Sequence, residues 1–408
     1  MCSLENLRNI AFKAVQFAGY ILLLNSAQAA APPCQPTGPQ KGLVIAVNFP
    51  SNPTESKSIN SVDDDYFGAN NALQDYWNEV SYGQTTLTGD TFGWFTLDYP
   101  GWENCITSDI RFHALEAASA FVDVTEYNRI FLRIVEPPEC NFQFTGQGSV
   151  CSLIPVPGGG SMEASTSWNL TDDLAVLIHE GGHNLGLPHA NSEDYGSTYS
   201  VGPVGVTGTQ TEYGDLFDVM GSLPRTGHFN AIYKHRLGFI TDSDITDVSS
   251  TGTHTIEPLT TAGTGKKALR IFRGAAWNGV AAIPPIDKEY LWVETRKETG
   301  YDDNIRQPGD AGHTAYGGAV IHIDRGSLSK SHLLDMHPGT ATLEFQDAPL
   351  VSGESFTDPY SGITVNHDGV MNPSKNITLS VTITDPDSDE DGIPDAAEIT
   401  YGTNPNLE

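Results

Sequence analysis

Apolar positions follow two different rhythms along the chain, and the rhythm changes near residue 245. In the first part, short apolar runs alternate with stretches of helical spacing. Residues 41–49 read as a buried strand, and Tyr66, Ala69, Leu73, Tyr76, Trp77 and Val80 recur as one helix face across residues 63–80. Residues 85–97 are strand-rich, residues 108–121 suit a second helix, and residues 127–135 form another apolar strand. Leu174, Leu177, Ile178 and Leu185 define a further helix, with Thr171 as its cap and Asp172 and Asp173 at its positive end. A last helix near residues 229–237 closes at Gly238. This order predicts an α/β (α+β) layer in which the third helix packs on a twisted sheet. Beyond residue 245, Thr- and Val-rich runs at residues 253–258, 268–272, 290–295, 319–323 and 377–383 alternate with Gly, Asp and Pro. They predict an all-β, sandwich-like domain. The expected division is a domain over 30–245, a β-rich domain over 246–384, and a tail over 385–408.

The third helix carries the chemistry. Its sequence runs His179-Glu180-Gly181-Gly182-His183-Asn184-Leu185-Gly186-Leu187-Pro188-His189. His179 and His183 lie one turn apart and project from one helix face. Neutral imidazole nitrogens are preferred zinc ligands. Glu180 is rotated about 100° from His179, which suits a base beside the metal rather than a ligand. A straight helix would carry residue 189 away from residue 183. Gly186 can take the left-handed conformation, end the helix and return the chain, so that His189 becomes the third ligand. Three protein ligands leave one zinc position open, the mark of a catalytic rather than a structural site.

This run resembles the extended signature of the metzincin zinc peptidases, His-Glu-x-x-His-x-x-Gly-x-x-His followed by a Met-turn. Asp218-Val219-Met220-Gly221, about thirty residues downstream, is similar to that turn, and the resemblance implies that Met220 lies as an apolar floor beneath the histidines. No Tyr follows Met220 by two residues, so the tyrosine ligand of some metzincins has no counterpart there. Within the group the chain resembles the gametolysin family over roughly residues 41–360. The resemblance rests on residues 41–50, on Ser81-Tyr82-Gly83-Gln84 leading to Gly93-Trp94, and on His183-Asn184-Leu185-Gly186-Leu187. It continues through His228-Phe229-Asn230-Ala231, Arg236-Leu237-Gly238-Phe239, Glu294-Thr295-Arg296 and His322-Ile323-Asp324. It implies a metzincin-like catalytic domain, endopeptidase action, and residues 161–168 as the edge strand that aligns a peptide.

The termini add a compartment and a second metal. Arg8 and Lys13, an apolar run from Ala14 to Leu24, and Ala27-Gln28-Ala29 read as a signal peptide over residues 1–29. That run is shorter than the roughly 20 residues needed to span a bilayer, so no membrane insertion is expected. Removing it takes away Cys2 and leaves Cys34, Cys105, Cys140 and Cys151, enough for two disulfides with three connectivities open. Cys140–Cys151 with Cys34–Cys105 is the favoured set; a zinc-capping latency role for Cys34 is the competing one. Asp387, Asp389, Asp391, the Ile393 carbonyl, Asp395 and Glu398 fit a calcium loop turned at Gly392. With Tyr401-Gly402-Thr403-Asn404-Pro405 behind it, this loop resembles a thrombospondin type 3 repeat. Asn-x-Thr acceptors occur at Asn169 and Asn376, and His313, His322, His332 and His337 lack ligand spacing.

A net charge of −30, from 51 acidic against 21 basic residues, repels nucleic acid and anionic membranes. The chain therefore reads as a secreted, extracellular zinc endopeptidase acting on protein or peptide substrates, with Zn2+ catalytic and Ca2+ structural. The periplasm or the cell surface is an alternative location. Two other functions compete: an adhesion or matrix-binding protein with a non-catalytic zinc site, and a zinc hydrolase acting on a non-peptide bond. The sequence leaves oligomeric state open.

Overall fold

The computed structural model describes residues 34–276, 287–306, 314–326, 330–340, 345–390, 395 and 406. The signal-peptide reading, Cys2, His313 and the loop positions Asp391, Ile393 and Glu398 lie outside the described residues. Pro32–Glu408 forms one compact unit.

Strands β1 (Gly38–Asn48), β2 (Thr85–Thr96), β3 (Arg129–Ile134) and β6 (Ser161–Asn169) lie parallel in the order β2-β1-β3-β6. The short strands β4 (Gly146–Gly148) and β5 (Ser152–Pro155) run antiparallel along the outer side of β6. Successive side chains of a strand face opposite ways, and both faces here are covered. Val44 and Phe131 point into a core shared with helices α1 (Ile59–Phe67), α2 (Leu73–Val80), α4 (Leu174–Leu185) and α5 (Ala231–Arg236). Leu43, Ile45, Val47, Ile130 and Leu132 point to the other side, onto α3 (Thr107–Ala118).

Four expectations change. The helical pattern over residues 63–80 is two helices, because Gly68 caps α1 and Asn71 takes a left-handed φ of 53° before α2 begins. Asp173, not Thr171, caps α4: its carboxylate accepts from the Ala175 N–H at 2.9 Å. Residues 161–168 are a strand but not the edge, since β4 and β5 occupy its outer side. The disulfides are Cys34–Cys151 and Cys105–Cys140, with Cα separations of 5.9 and 5.6 Å. Strand order explains the first pairing. Arg129 donates to the Gln35 carbonyl at 3.2 Å and stands opposite Ser165, while the Ser149 N–H donates to Thr166 at 2.8 Å. The chain entering β1 and the chain leaving β4 thus meet at one end of the sheet, which brings Cys34 to Cys151.

The second half is built on two further sheets. One runs β8 (Thr209–Thr211), β7 (Asn191–Asp194), β14 (His332–Leu334), β13 (Val320–Asp324), β12 (Asp287–Glu294), β11 (Ala268–Ala276) and β9 (Ile245–Val248). The other runs β10 (Gly252–Ile256), β17 (Asn376–Ile383), β16 (Ile363–Met371) and β15 (Ser355–Thr357). A single apolar cluster takes Leu269, Leu291 and Ile321 from the first and Ile256, Val365 and Leu379 from the second, so the two sheets pack face to face. Strands β7 and β8 come from the segment between His189 and Met220, and β7 pairs in parallel with β14. The seven-stranded sheet therefore draws on both sides of residue 245. Asn169 is fully buried, its amide donating to Tyr66 at 3.1 Å, so only Asn376 of the two Asn-x-Thr sites lies partly open.

Candidate metal centre

Helix α4 ends where the glycine signal places its end. Gly186 has φ 107°, and the Leu187 N–H reaches back to the Gly182 carbonyl at 3.1 Å. The reversal brings the donor atoms of His179, His183 and His189 within 4.8 Å of one another. Each ring is held through its other nitrogen. Nδ1 of His179 donates to the Val219 carbonyl, that of His183 to the Leu187 carbonyl, and that of His189 to Glu212 Oε1, all at 2.8 Å. The Nε2 atoms are left facing inward, and those of His183 and His189 stand 3.1 Å apart. Two lone pairs aimed at one another at that distance repel unless a cation lies between them. Burial pushes His179 down to about 3 and His183 to about 4, so both stay neutral, the form that ligates metal. The three residues fit a divalent ion that prefers nitrogen donors.

Glu180 sits beside this group on the buried side of α4. A Cβ on Gly146 would lie 2.7 Å from Glu180 Oε1, and one on Gly148 would lie 3.0 Å from Oε2. The β4 glycines thus leave the room in which the carboxylate stands. Burial raises its pKa to about 8, while an N–H from Gly148 pulls the other way. Met220 is fully buried beneath α4, and a Cβ on Gly182 would come 2.2 Å from its sulfur. Glycine inside a helix costs about 1 kcal/mol, and here it admits the thioether. Asp218 shapes the turn, accepting from the Met220 and Asn230 N–H groups at 2.7 Å each.

The gametolysin peptidase M11 family model matches residues 43–271, more than half of the chain. The chain belongs to the gametolysin peptidase family. Its match spans β1 through β11, including every residue of the histidine site. A bacterial TSP3 repeat model matches residues 387–407 of this gametolysin-family chain. No curated protein matches it.

Among the calcium-loop residues that are described, Asp395 closes back on the start of the loop. Its N–H donates to the Pro386 carbonyl at 2.8 Å, and its carboxylate accepts from the Ser388 N–H and hydroxyl at 2.7 Å each. Asp387 and Asp389 flank Ser388.

Two residues at the metal centre escape a reading by motif. Glu212 holds His189, and the Tyr213 ring lies tilted by 36° against His189 with centroids 3.9 Å apart. Tyr213 has φ 61°, a backbone conformation rare for an aromatic residue. The only sequence signal is the following Gly214, which marks a turn but not its place.

Proposed function

We propose that this peptidase is a secreted zinc-dependent endopeptidase that cleaves extracellular proteins with Glu180 as general base. The carrying observation is the convergence of three Nε2 atoms beside a buried carboxylate. When bound, zinc supplies Lewis-acid polarisation of a water molecule and of the scissile carbonyl. His179, His183 and His189 would hold it, each oriented by its Nδ1 hydrogen bond. Glu180 accepts a proton from the attacking water and returns it to the leaving amine nitrogen. Burial shifts its pKa upward from the ordinary carboxylate value, the direction that makes a carboxylate a better base. An extended substrate pairs its backbone with the rim at residues 146–155, the edge of the sheet on the β6 side. Two disulfides suit an oxidising, extracellular setting, and no described helix is long and apolar enough to cross a membrane.

The test is casein and gelatin cleavage by the mature chain, with and without a zinc chelator, beside Glu180→Gln. Activity should vanish on chelation and return with zinc. The variant should lose about 10²–10⁴-fold in kcat while still binding zinc. Inactive zinc-loaded wild type would sink the peptidase reading and favour an adhesion role. The TSP3 match and the carboxylates of Asp387, Asp389 and Asp395 support calcium binding in the tail. Calorimetric titration should show heat from one site; a flat trace removes the loop assignment.

A further inference from the structure

Two routes lead from one short stretch of the β domain to the third histidine. The first reaches its ring. Lys330 Nζ lies 2.7 Å from Glu212 Oε1, the same oxygen that accepts from His189 Nδ1 at 2.8 Å. The second reaches its backbone. The Ser331 N–H donates to the Tyr233 hydroxyl at 3.1 Å, and that hydroxyl donates to the His189 carbonyl at 2.7 Å. The neighbouring chain is clamped as well, since the Asn191 N–H donates to the Ser331 carbonyl at 2.9 Å where β7 begins its pairing with β14. His179 and His183 need no such help. They stand on α4, and their Nδ1 partners are backbone carbonyls close at hand. His189 lies beyond the helix end, on chain that has no helix to fix it.

We propose that Lys330 and Glu212 form a positioning pair through which the β domain holds zinc ligand His189 in place. Lys330 pins Glu212, Glu212 fixes the ring and leaves Nε2 facing inward, and the bound ion is retained longer as a result. The pair lies beyond helix α4, and no spacing within the histidine run encodes it. The inference rests on the zinc reading above.

The measurement is zinc release from the full-length holoprotein into a chromophoric chelator, alongside visible spectra of the cobalt-substituted protein. Glu212→Gln should speed release by about 10–100-fold, the usual size of an effect from a partner behind a metal ligand. Lys330→Met should speed it several-fold, and Lys330→Arg should restore most of the loss. The double variant Glu212→Gln with Lys330→Met should be no worse than Glu212→Gln alone, because both act through one oxygen. Cobalt spectra should shift in Glu212→Gln, reporting a reoriented ligand. Both side chains are partly exposed, so the folds should survive, as circular dichroism will register. Wild type that takes up no zinc defeats the zinc reading. Wild type that binds zinc, with Lys330→Met releasing it at the same rate or with additive effects in the double variant, defeats the coupling alone.

Discussion

Helix α4 is flanked by two regions built on opposite principles. Behind it, the six-stranded sheet presents apolar faces: Val44, Leu87 and Phe131 meet Trp77, Leu177 and Ile178 with almost no exposed surface. Arg129 and Arg133 are buried cations there; uncharged oxygens of Gln40, Ser165, Asn184 and Gln35 surround Arg129, and the Ile134 carbonyl accepts from Arg133. Beyond Met220, the seam with the seven-stranded sheet is filled with hydrogen-bonded ionisable groups. Arg296 is fully buried between Glu294 Oε1 at 2.7 Å and Asp302 Oδ1 at 3.1 Å, and it also donates to the His228 carbonyl. Lys234 reaches His228 Nδ1 at 2.9 Å, and His228 Nε2 reaches Glu79 at 2.8 Å. Asp215 pairs with His322 of β13 at 2.8 Å. Apolar contacts give a helix a place to rest with some freedom to repack. Hydrogen-bonded charges accept one arrangement and penalise every other, so the seam fixes the loops that carry the Met-turn and residues 189–215.

The comparison is broken most directly at Arg296. Arg296→Met leaves Glu294 and Asp302 buried without their cation and should cost about 3–5 kcal/mol, read from urea unfolding. An effect below about 1 kcal/mol would erase the contrast between the two regions. The next largest change should come from His322→Gln, and it should depend on pH. Burial alone would lower the pKa of His322, but the Asp215 carboxylate outweighs it and the net shift is upward. The protonated pair therefore stabilises the fold fully below the ordinary histidine value of about 6.5, and that stability fades as pH rises through the raised value. The deficit of His322→Gln against wild type should thus be largest near pH 6 and shrink toward pH 9. A deficit that grows with pH would reverse the assignment. Smallest of the three, Phe131→Leu behind the helix should cost about 1 kcal/mol at any pH in that range.

What could be read from the sequence follows the same divide. The histidine run is local: helical spacing brings two of the candidate ligands together and one glycine turns the third toward them, so the convergence is legible in eleven residues. The parallel strands and, beyond residue 245, β10, β11, β12, β13 and β17 were legible as apolar runs, and their boundaries agree to within a few residues; β9, β14, β15 and β16 were not read. The rim was not, because β4 is Gly146-Gln147-Gly148 and carries no apolar alternation. The disulfide partners depend on strand order, which no pattern along the chain records. Glu212 and Lys330 read as surface charges. Only the pairing of β7 with β14, across more than a hundred residues, brings them together.

That pairing also fixes an order of events during synthesis. When residue 271 has left the ribosome, every histidine of the site exists and the family's characteristic stretch is complete. Strand β14 does not yet exist, nor do Lys330 and Ser331, the residues that brace Glu212 and Tyr233 against His189. On the positioning proposed above, a chain made only that far would carry His179 and His183 on their helix and His189 without its outer support. On the same proposal, that support is in place once β14 has been made, before β15, β16 and β17 follow.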